Sequence, residues 1–141
     1  KIGLIKTHTN MYASEFNAYK NFDGLVIEGF ALGQAPINKV DELTSEHKRI
    51  LSSIALLCKK MPVVMASQSI YGRLQMNVYS TARDLQEAGV LGHLSDMTPE
   101  TTFIKLAWLL SNYSKKEANE LITKNLRGEI TDRTEEATFL V

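Results

Sequence analysis

The sequence predicts a three-layer α/β/α fold with a small parallel sheet of three or four strands. Short β-branched and apolar runs at 2–5, 25–27 and 63–65 have the composition of strands that are buried on both faces of a parallel sheet. Between these runs lie longer segments whose apolar residues recur at the three- and four-residue spacing of amphipathic helices. Such an alternation with short connections is typical of right-handed crossovers within one α/β domain.

Length and composition fit a single globular domain. The chain has 141 residues, of which 44% are hydrophobic and 23% are charged. Lys and Arg balance Asp and Glu at 16 each, which argues against binding to nucleic acids or membranes through bulk charge. The single cysteine, Cys58, cannot form an internal disulfide, so we expect a reducing, cytoplasmic compartment. Because the chain opens on an apolar run without Met, we expect a piece of a longer protein.

Two helices are expected in the first half of the chain. Ser14 is the expected N-cap of a short helix that presents Phe16 and Tyr19 on one side. The turn signal Asp23-Gly24 separates this helix from the second strand. A longer helix is expected from about 41 to 60, with Leu43 among its periodic apolar residues.

Three further helices are expected after the third strand. The first covers about 80–88 and stops at Gly89, and the run 90–91 is a possible short fourth strand. Thr98-Pro99 begins a second helix, which is apolar over most of its circumference and should be deeply buried.

A capping box formed by Ser114 and Glu117 starts the last helix, which is expected to end at Gly128. The apolar tail 139–141 is expected to dock on the domain.

A polar and aromatic segment follows the third strand, where function gathers in open α/β sheets. Ser67, Ser69, Tyr71 and Tyr79 are nucleophile or acid–base groups in principle, but no local base activates them, which favours a binding or interface role. Arg73 and Arg83 flank this segment and either clamp a carboxylate or form surface ion pairs.

Other candidate sites are weaker. His8, His47 and His93 lack the spacing of metal ligands, so a zinc site is not expected. Thr7–Asn10 follows the first strand as a phosphate loop would, but it lacks the glycines that let a backbone approach a phosphate. Gly29 and Gly33 indicate a tight turn after the second strand, with a ligand loop as the second interpretation.

Several longer motifs occur together in order along nearly the whole chain. The principal ones are Ser-Gln-Ser-Ile-Tyr-Gly-Arg (67–73), Met-Asn-Val-Tyr-Ser-Thr-Ala-Arg (76–83), Asp-Gly-Leu-Val-Ile-Glu-Gly (23–29), Asp-Met-Thr-Pro-Glu-Thr (96–101), Lys-Leu-Ala-Trp-Leu-Leu (105–110) and Leu-Arg-Gly-Glu-Ile (126–130). Together they resemble the second domain of L-asparaginase/glutaminase-type amidohydrolases. The resemblance is strongest to the D subunits of archaeal glutamyl-tRNA(Gln) amidotransferases.

Some residues depart from the pattern of this family. Phe30-Ala31 stands where Thr-Gly is frequent, Gln34 where His is frequent, Ser69 where Cys is common and Ala82 where Gly is common. These departures affect the turn after the second strand and its contacts, and they leave the implied flavodoxin-like, asparaginase C-terminal fold unchanged.

The resemblance implies that residues 1–141 are the C-terminal domain of a longer amidohydrolase. Enzymes of this family carry the nucleophilic threonine and the Thr-Asp-Lys machinery in an N-terminal domain, within Gly-Gly-Thr and Gly-Thr-Asp-Thr motifs that this sequence lacks. The chain alone is therefore expected to have no catalytic residue, no metal, no cofactor and no activity. The resemblance implies that the whole protein hydrolyses glutamine, or asparagine, to release ammonia.

Partners follow from the same resemblance. The domain is expected to contact the N-terminal amidase domain of its own chain and a second copy, and to complete active sites across the dimer interface. A partner subunit, using ATP and Mg, would convert Glu-tRNA(Gln) to Gln-tRNA(Gln), with tRNA contacted only indirectly and no membrane involved. The implied interface residues are Gly29, Gly33, Gln34, Ser67, Gln68, Arg73, Asn77 and Tyr79.

Two alternatives stay open at this point. The first is the C-terminal domain of a cytoplasmic type I L-asparaginase, against which the contexts of Tyr71 and Tyr79 and the region 112–114 favour the amidotransferase. The second is a non-catalytic flavodoxin-like binding module.

Overall fold

The computed structural model describes residues 1–137, so the predicted docking tail 139–141 lies outside the described part. The described elements are β1 (Ile2–Lys6), α1 (Ala13–Asn17), β2 (Gly24–Gly29), α2 (His47–Cys58), β3 (Val63–Ser67), α3 (Ser80–Glu87), α4 (Pro99–Asn112) and α5 (Lys115–Leu121). The strands form one sheet in the order β1-β2-β3, and both neighbouring pairs are parallel.

Both faces of the sheet are covered, which confirms the three-layer fold. Leu25, Ile27 and Met65 belong to a core that also contains buried residues of α1, α2 and α3. Val26 and Val64 point to the opposite face and pack with buried residues of α4 and α5. Since successive side chains of a strand point to opposite faces, strands this apolar need helices on both sides. Helices α1 and α2, which connect neighbouring strands, cover the same face, as two crossovers of one hand require.

The predicted start of α1 was wrong by two residues. Tyr12, not Ser14, occupies the N-cap position, and Ser14 lies inside the helix. The carboxylate of Glu15, in the first turn, accepts the backbone N–H of the N-cap residue Tyr12 at 2.7 Å and fixes the start of the helix there. Phe16 is buried, whereas Tyr19, expected on the same helix, lies beyond its end at Asn17, and its hydroxyl donates to the carbonyl oxygen of Leu4.

Helix α2 begins six residues later than the periodicity predicted. The Thr44 hydroxyl accepts the backbone N–H groups of Val40 and Asp41, and the Asp41 carboxylate accepts the N–H of Thr44. These local bonds offer the backbone an alternative to the helix. Leu43, predicted on the apolar face of the helix, is consequently 93% exposed.

Three further expectations needed correction. The run 90–91 forms no strand, since only one parallel bridge joins Leu91 to Val64. Helix α4 has the predicted Thr98 cap but buries one face only, so that Ile104 and Trp108 are exposed. Helix α5 has the predicted capping box but ends at Leu121. Beyond it, the side chain of Asn125 accepts the N–H of Gly128 and holds a loop where helix was expected.

Candidate functional site

The carboxyl ends of the three strands lie side by side. Lys6 is paired with Glu28, and Gly29 with Ser67. The turn 30–34 and the segment 68–79 therefore leave the sheet at the same edge, where parallel α/β sheets bind ligands and partners. We call this surface, formed by 29–34 and 67–79, the strand-end edge.

The turn after β2 has a strained backbone. Phe30 and Gln34 exchange two backbone hydrogen bonds, of 2.8 and 3.0 Å, across a tight loop. Within it, Gly33 has a φ of 102° and Ala31 a φ of 38°. Glycine adopts this left-handed region freely, whereas the Cβ of alanine makes it costly. Ala31 is thus a non-glycine residue held where the related family often has glycine.

Gly29 and Gly33 are required by close packing. A Cβ atom on Gly29 would lie 2.3 Å from the Sδ atom of Met65 and 2.7 Å from the carbonyl oxygen of Gln34. A Cβ atom on Gly33 would lie 2.9 Å from Cγ of Met76. Both glycines therefore serve the tight turn that the sequence indicated. Gln34 closes this turn through its backbone, and its half-buried side chain makes no hydrogen bond to any residue in 1–137.

Ser67 connects the two loops of the edge. Its hydroxyl donates to the carbonyl oxygen of Ala31 at 2.6 Å and accepts the backbone N–H of Ser69 at 3.0 Å. The residue is 8% exposed. Its hydroxyl hydrogen already binds a carbonyl oxygen, and no side-chain base among residues 1–137 is hydrogen-bonded to it, so Ser67 has the environment of a structural hydroxyl.

Gln68 extends across the edge to the far strand. Its Nε2 donates to the carbonyl oxygen of Thr7 at 2.8 Å, to the Thr7 hydroxyl at 3.0 Å and to the carbonyl oxygen of Glu28 at 3.1 Å. Its backbone N–H also donates to Gly29. One side chain thus joins the ends of all three strands.

Arg73 is bound internally. Its guanidinium donates to the carbonyl oxygen of Leu94 at 2.6 Å and to the carbonyl oxygen and hydroxyl of Thr131. The carboxylate of Asp96 lies 3.6 Å away and accepts the Thr131 hydroxyl. Arg73 therefore clamps a carboxylate of its own chain and holds the segment that begins at Thr131. Arg83 instead donates to the backbone carbonyl oxygens of Asn77 and Val78, just before α3, and pairs with no carboxylate within residues 1–137.

The C-terminal end of the segment 68–79 is polar and exposed. Nδ1 of His93 lies 3.2 Å from the backbone nitrogen of buried Met76, and its Nε2 lies 3.1 Å from Nδ2 of Asn77. Tyr79 is the N-cap residue of α3, and its ring is exposed. Asn77 and Tyr79 are accordingly accessible to a partner.

The structure also places a cleft at this edge that the sequence did not suggest. Its volume is about 650 Å³, and it lies between residues 70–72 and the segment 131–135. Nothing in the composition of 131–135 signals this proximity, because it depends on the bonds of Thr131 to Arg73 and Asp96.

A buried ion pair outside the edge was also missed. Nζ of Lys105 lies 2.6 Å from Oε1 of Glu129, with side chains 6% and 14% exposed. Burial raises the pKa of Glu129, but hydrogen bonds from Lys105 and from the backbone amides of Arg127 and Leu126 outweigh it and lower the pKa to about 2. The only sequence signal was that both residues lie in the motifs of the family resemblance.

The part of the chain that the structure covers offers few other features with a chemical or membrane role. Among residues 1–137, no group of three or more His, Cys, Asp or Glu side chains is arranged to hold a metal ion. Burial raises the pKa of the Cys58 thiol to about 12, which keeps it protonated and unreactive. Within the same residues, none of the helices has both the length and the apolarity needed to cross a membrane.

The sequence also matches a known protein family. Residues 1–122 match the Glutaminase/Asparaginase C-terminal domain. The chain belongs to this family. The match sets aside an unrelated flavodoxin-like module, and the fold agrees with solved members. The thermostable L-asparaginase from Thermococcus kodakarensis is 28% identical with a TM-score of 0.80, over 94% of this chain and 38% of that one. L-asparaginase I from Vibrio cholerae is 29% identical with a TM-score of 0.77, over 92% and 37%.

Curated relatives have a more specific name. The chain is 38% identical to the D subunit of the glutamyl-tRNA(Gln) amidotransferase of Methanobrevibacter smithii, over 99% of this chain. It is equally similar to the D subunit of the same enzyme from Pyrococcus furiosus, over 100% of this chain. In both cases the chain spans only 30% of the relative's length.

Proposed function

We propose that this chain is the C-terminal domain of the amidase subunit of a cytoplasmic, tRNA-dependent glutamyl-tRNA(Gln) amidotransferase. The observation that carries the proposal is the similarity to subunits of that name along 99% and 100% of the chain. In this proposal the whole protein hydrolyses glutamine, or asparagine, and releases ammonia. A partner subunit, with ATP and Mg, uses the ammonia to convert Glu-tRNA(Gln) to Gln-tRNA(Gln).

The domain itself supports dimerisation and completes the active site. Its strand-end edge exposes apolar side chains beside polar ones, as interfaces do, with Ile70 81% exposed and Tyr71, Val78 and Tyr79 also exposed. We assign this edge to contacts with the N-terminal amidase domain and with a second copy. The tRNA is then contacted only through the partner subunit.

Gln34 is the side chain at this edge that is best suited to reach a neighbouring active site. Its carboxamide has one acceptor and two donor hydrogens, and none of them is used within the described chain. The backbone bridge to Phe30 fixes the main chain of Gln34, so no backbone entropy of this turn needs to be lost when the side chain binds an amide or carboxylate group. Proton transfer and nucleophilic attack belong to groups outside this domain.

A type I L-asparaginase is the second candidate, favoured by the TM-score of 0.80 to a solved L-asparaginase. The two candidates share the fold and differ in substrate and partner. In the asparaginase, the domain completes an active site that needs neither tRNA nor a partner subunit.

Ammonia release by the full-length protein separates these candidates. It is measured with glutamine and with asparagine, with and without the partner subunit and glutamyl-tRNA(Gln), in the presence of ATP and Mg. Glutaminase activity that rises with partner and charged tRNA supports the amidotransferase. Partner-independent hydrolysis of asparagine supports the asparaginase, and no release under either condition contradicts both.

A further inference from the structure

The hydroxyl of Ser67 joins the two loops of the strand-end edge, beside the backbone hydrogen bonds from Gln68 to Gly29 and from Gln75 to Leu32. It donates to the carbonyl oxygen of Ala31 in one loop and accepts the N–H of Ser69 in the other. The bond to Ala31 is short, at 2.6 Å, and Ser67 is 8% exposed, so solvent competes poorly for it.

The residue at the other end of this bond is strained. Ala31 has a φ of 38°, in the left-handed region that alanine rarely adopts. A strained residue persists only where its surroundings hold it. The Phe30–Gln34 backbone bridge and a hydrogen bond from the Gln75 N–H to the carbonyl oxygen of Leu32 hold the loop, and the Ser67 hydroxyl is the side-chain group that binds Ala31 itself.

Holding Ala31 also fixes Gln34. Gln34 lies three residues further on, and its backbone closes the same loop through hydrogen bonds of 2.8 and 3.0 Å to Phe30. If Ala31 relaxes to a negative φ, the loop changes course and the Gln34 side chain is displaced. The position of the Gln34 carboxamide, which makes no hydrogen bond within residues 1–137, thus depends on a buried hydroxyl that it does not touch.

We infer that Ser67 is a positioning residue for the amidase reaction, which acts by holding Ala31 so that Gln34 is presented to the amide substrate. This inference rests on the proposed function of the whole protein. It gives Ser67 no chemical step, because its hydroxyl hydrogen bonds a carbonyl oxygen and stays there.

The test uses the full-length protein and four variants: Ser67→Ala, Ala31→Gly, the double variant and Ser95→Ala. Ser95 is the matched control, since it is a buried serine whose hydroxyl also accepts a backbone N–H, that of Met97, outside this contact. KM and kcat for glutamine and asparagine are measured together with the melting temperature.

Ser67→Ala is expected to raise KM about tenfold with kcat changed less than about threefold, because substrate contact is weakened while the reacting groups are intact. Ser95→Ala should lower the melting temperature similarly and leave KM unchanged. In the double variant, Ala31→Gly should remove most of the increase in KM caused by Ser67→Ala. Glycine adopts the left-handed conformation without needing the hydrogen bond from the Ser67 hydroxyl.

Three results would overturn the inference. One is a KM for Ser67→Ala equal to that of the parent or of Ser95→Ala. Another is a double variant whose KM stays as high as that of Ser67→Ala. If Ser67→Ala alone does not fold, the double variant is compared with Ala31→Gly, and a difference in KM of more than about threefold has the same meaning. A parent that releases no ammonia at all refutes the proposed function as well, which distinguishes the two failures.

Discussion

Ala31 combines a left-handed backbone with a side chain that disfavours it, so its energetic effect can be isolated. A Cβ atom in this region costs about 1–2 kcal/mol, whereas glycine adds unfolded-state entropy that costs about 0.4–1 kcal/mol. Ala31→Gly is therefore expected to stabilise the 141-residue chain by about 0.5 kcal/mol. Urea unfolding followed by circular dichroism measures the difference.

Ala35→Gly is the control for this prediction. Ala35 is buried next to the same turn and has no positive φ, so its replacement removes packing and relieves no strain. It should destabilise the chain. A loss of stability in both variants would mean that the Ala31 conformation carries no strain.

The pair of Lys105 and Glu129 makes the stability of the chain depend on pH. Folding lowers the pKa of Glu129 from 4.5 to about 2. A carboxyl group with a lowered pKa in the folded state contributes stability above its unfolded pKa and loses it as the pH falls through the folded pKa. The free energy of unfolding should therefore decrease between about pH 5 and pH 2, and Glu129→Gln should flatten this decrease.

Thermal unfolding at intervals across that pH range tests the prediction, with Glu120→Gln as the control. Glu120 is exposed on α5 and makes no hydrogen bond or ion pair within the described residues. Its variant should keep the parental pH dependence. Equal slopes for the parent and Glu129→Gln would show that other carboxyl groups dominate acid unfolding.

At the scale of elements, Gln68 is expected to contribute more to the free energy of unfolding than its half-buried position suggests, because it joins the ends of the strands. Its Nε2 donates to three oxygen atoms at the ends of β1 and β2. Gln68→Glu keeps the shape but aims a carboxylate oxygen at those acceptors, which removes the hydrogen bonds and adds repulsion. We expect a loss of about 1–3 kcal/mol in the free energy of unfolding at neutral pH.

Gln75→Glu provides the comparison, because Gln75 is also half-buried at this edge and its side chain makes no hydrogen bond in the described chain. Its cost should be below about 0.5 kcal/mol, which is usual for a substitution without a specific contact. Both are measured by urea unfolding. Similar costs for the two variants would exclude a specific role for Gln68 in joining the strands.

The sequence predicted elements well wherever one local signal decides the structure. The buried strands follow from β-branched runs, and the caps at Thr98 and Ser114 follow from side chains that bond the next turn. The predicted helix boundaries were wrong where a local hydrogen bond to a side chain competes with the helical hydrogen bonds. Asp41 and Thr44 satisfy each other and delay α2, and Glu15 fixes the start of α1 at Tyr12.

The strand-end edge could be predicted only as a location. The predicted parallel sheet and the family resemblance placed the turn and the loop after β3 together, and the pairing of Gly29 with Ser67 agrees. The roles within it depend on contacts between residues that are far apart in sequence. Arg73 was a candidate ligand clamp, yet its partners, Asp96 and Thr131, are recognisable only once the chain is folded.

At the scale of the whole molecule, the proposed function gives the described chain the role of shape and interface and assigns the reacting groups to the rest of the protein. The Ser67 hydroxyl is engaged, the Cys58 thiol stays protonated, and no metal cluster occurs in 1–137. The isolated chain is therefore expected to release no ammonia from glutamine or asparagine. A coupled assay on purified chain tests this, with the full-length protein as the positive control, and turnover by the chain alone would overturn the domain assignment.

The isolated chain is expected to associate with a second copy through the strand-end edge. If the strand-end edge binds a second copy in the whole protein, its exposed apolar side chains should make the chain self-associate at high concentration. Ile70→Ser combined with Tyr79→Ser should weaken this association, because both side chains lie at the edge and are exposed. Ile104→Ser is the control, since Ile104 is exposed on α4, on the other side of the sheet. Sedimentation velocity over a range of concentrations measures each. An unsubstituted chain that stays monomeric at high concentration would refute an interface at the strand-end edge. Weaker association of Ile104→Ser alone would mean that the interface lies on α4.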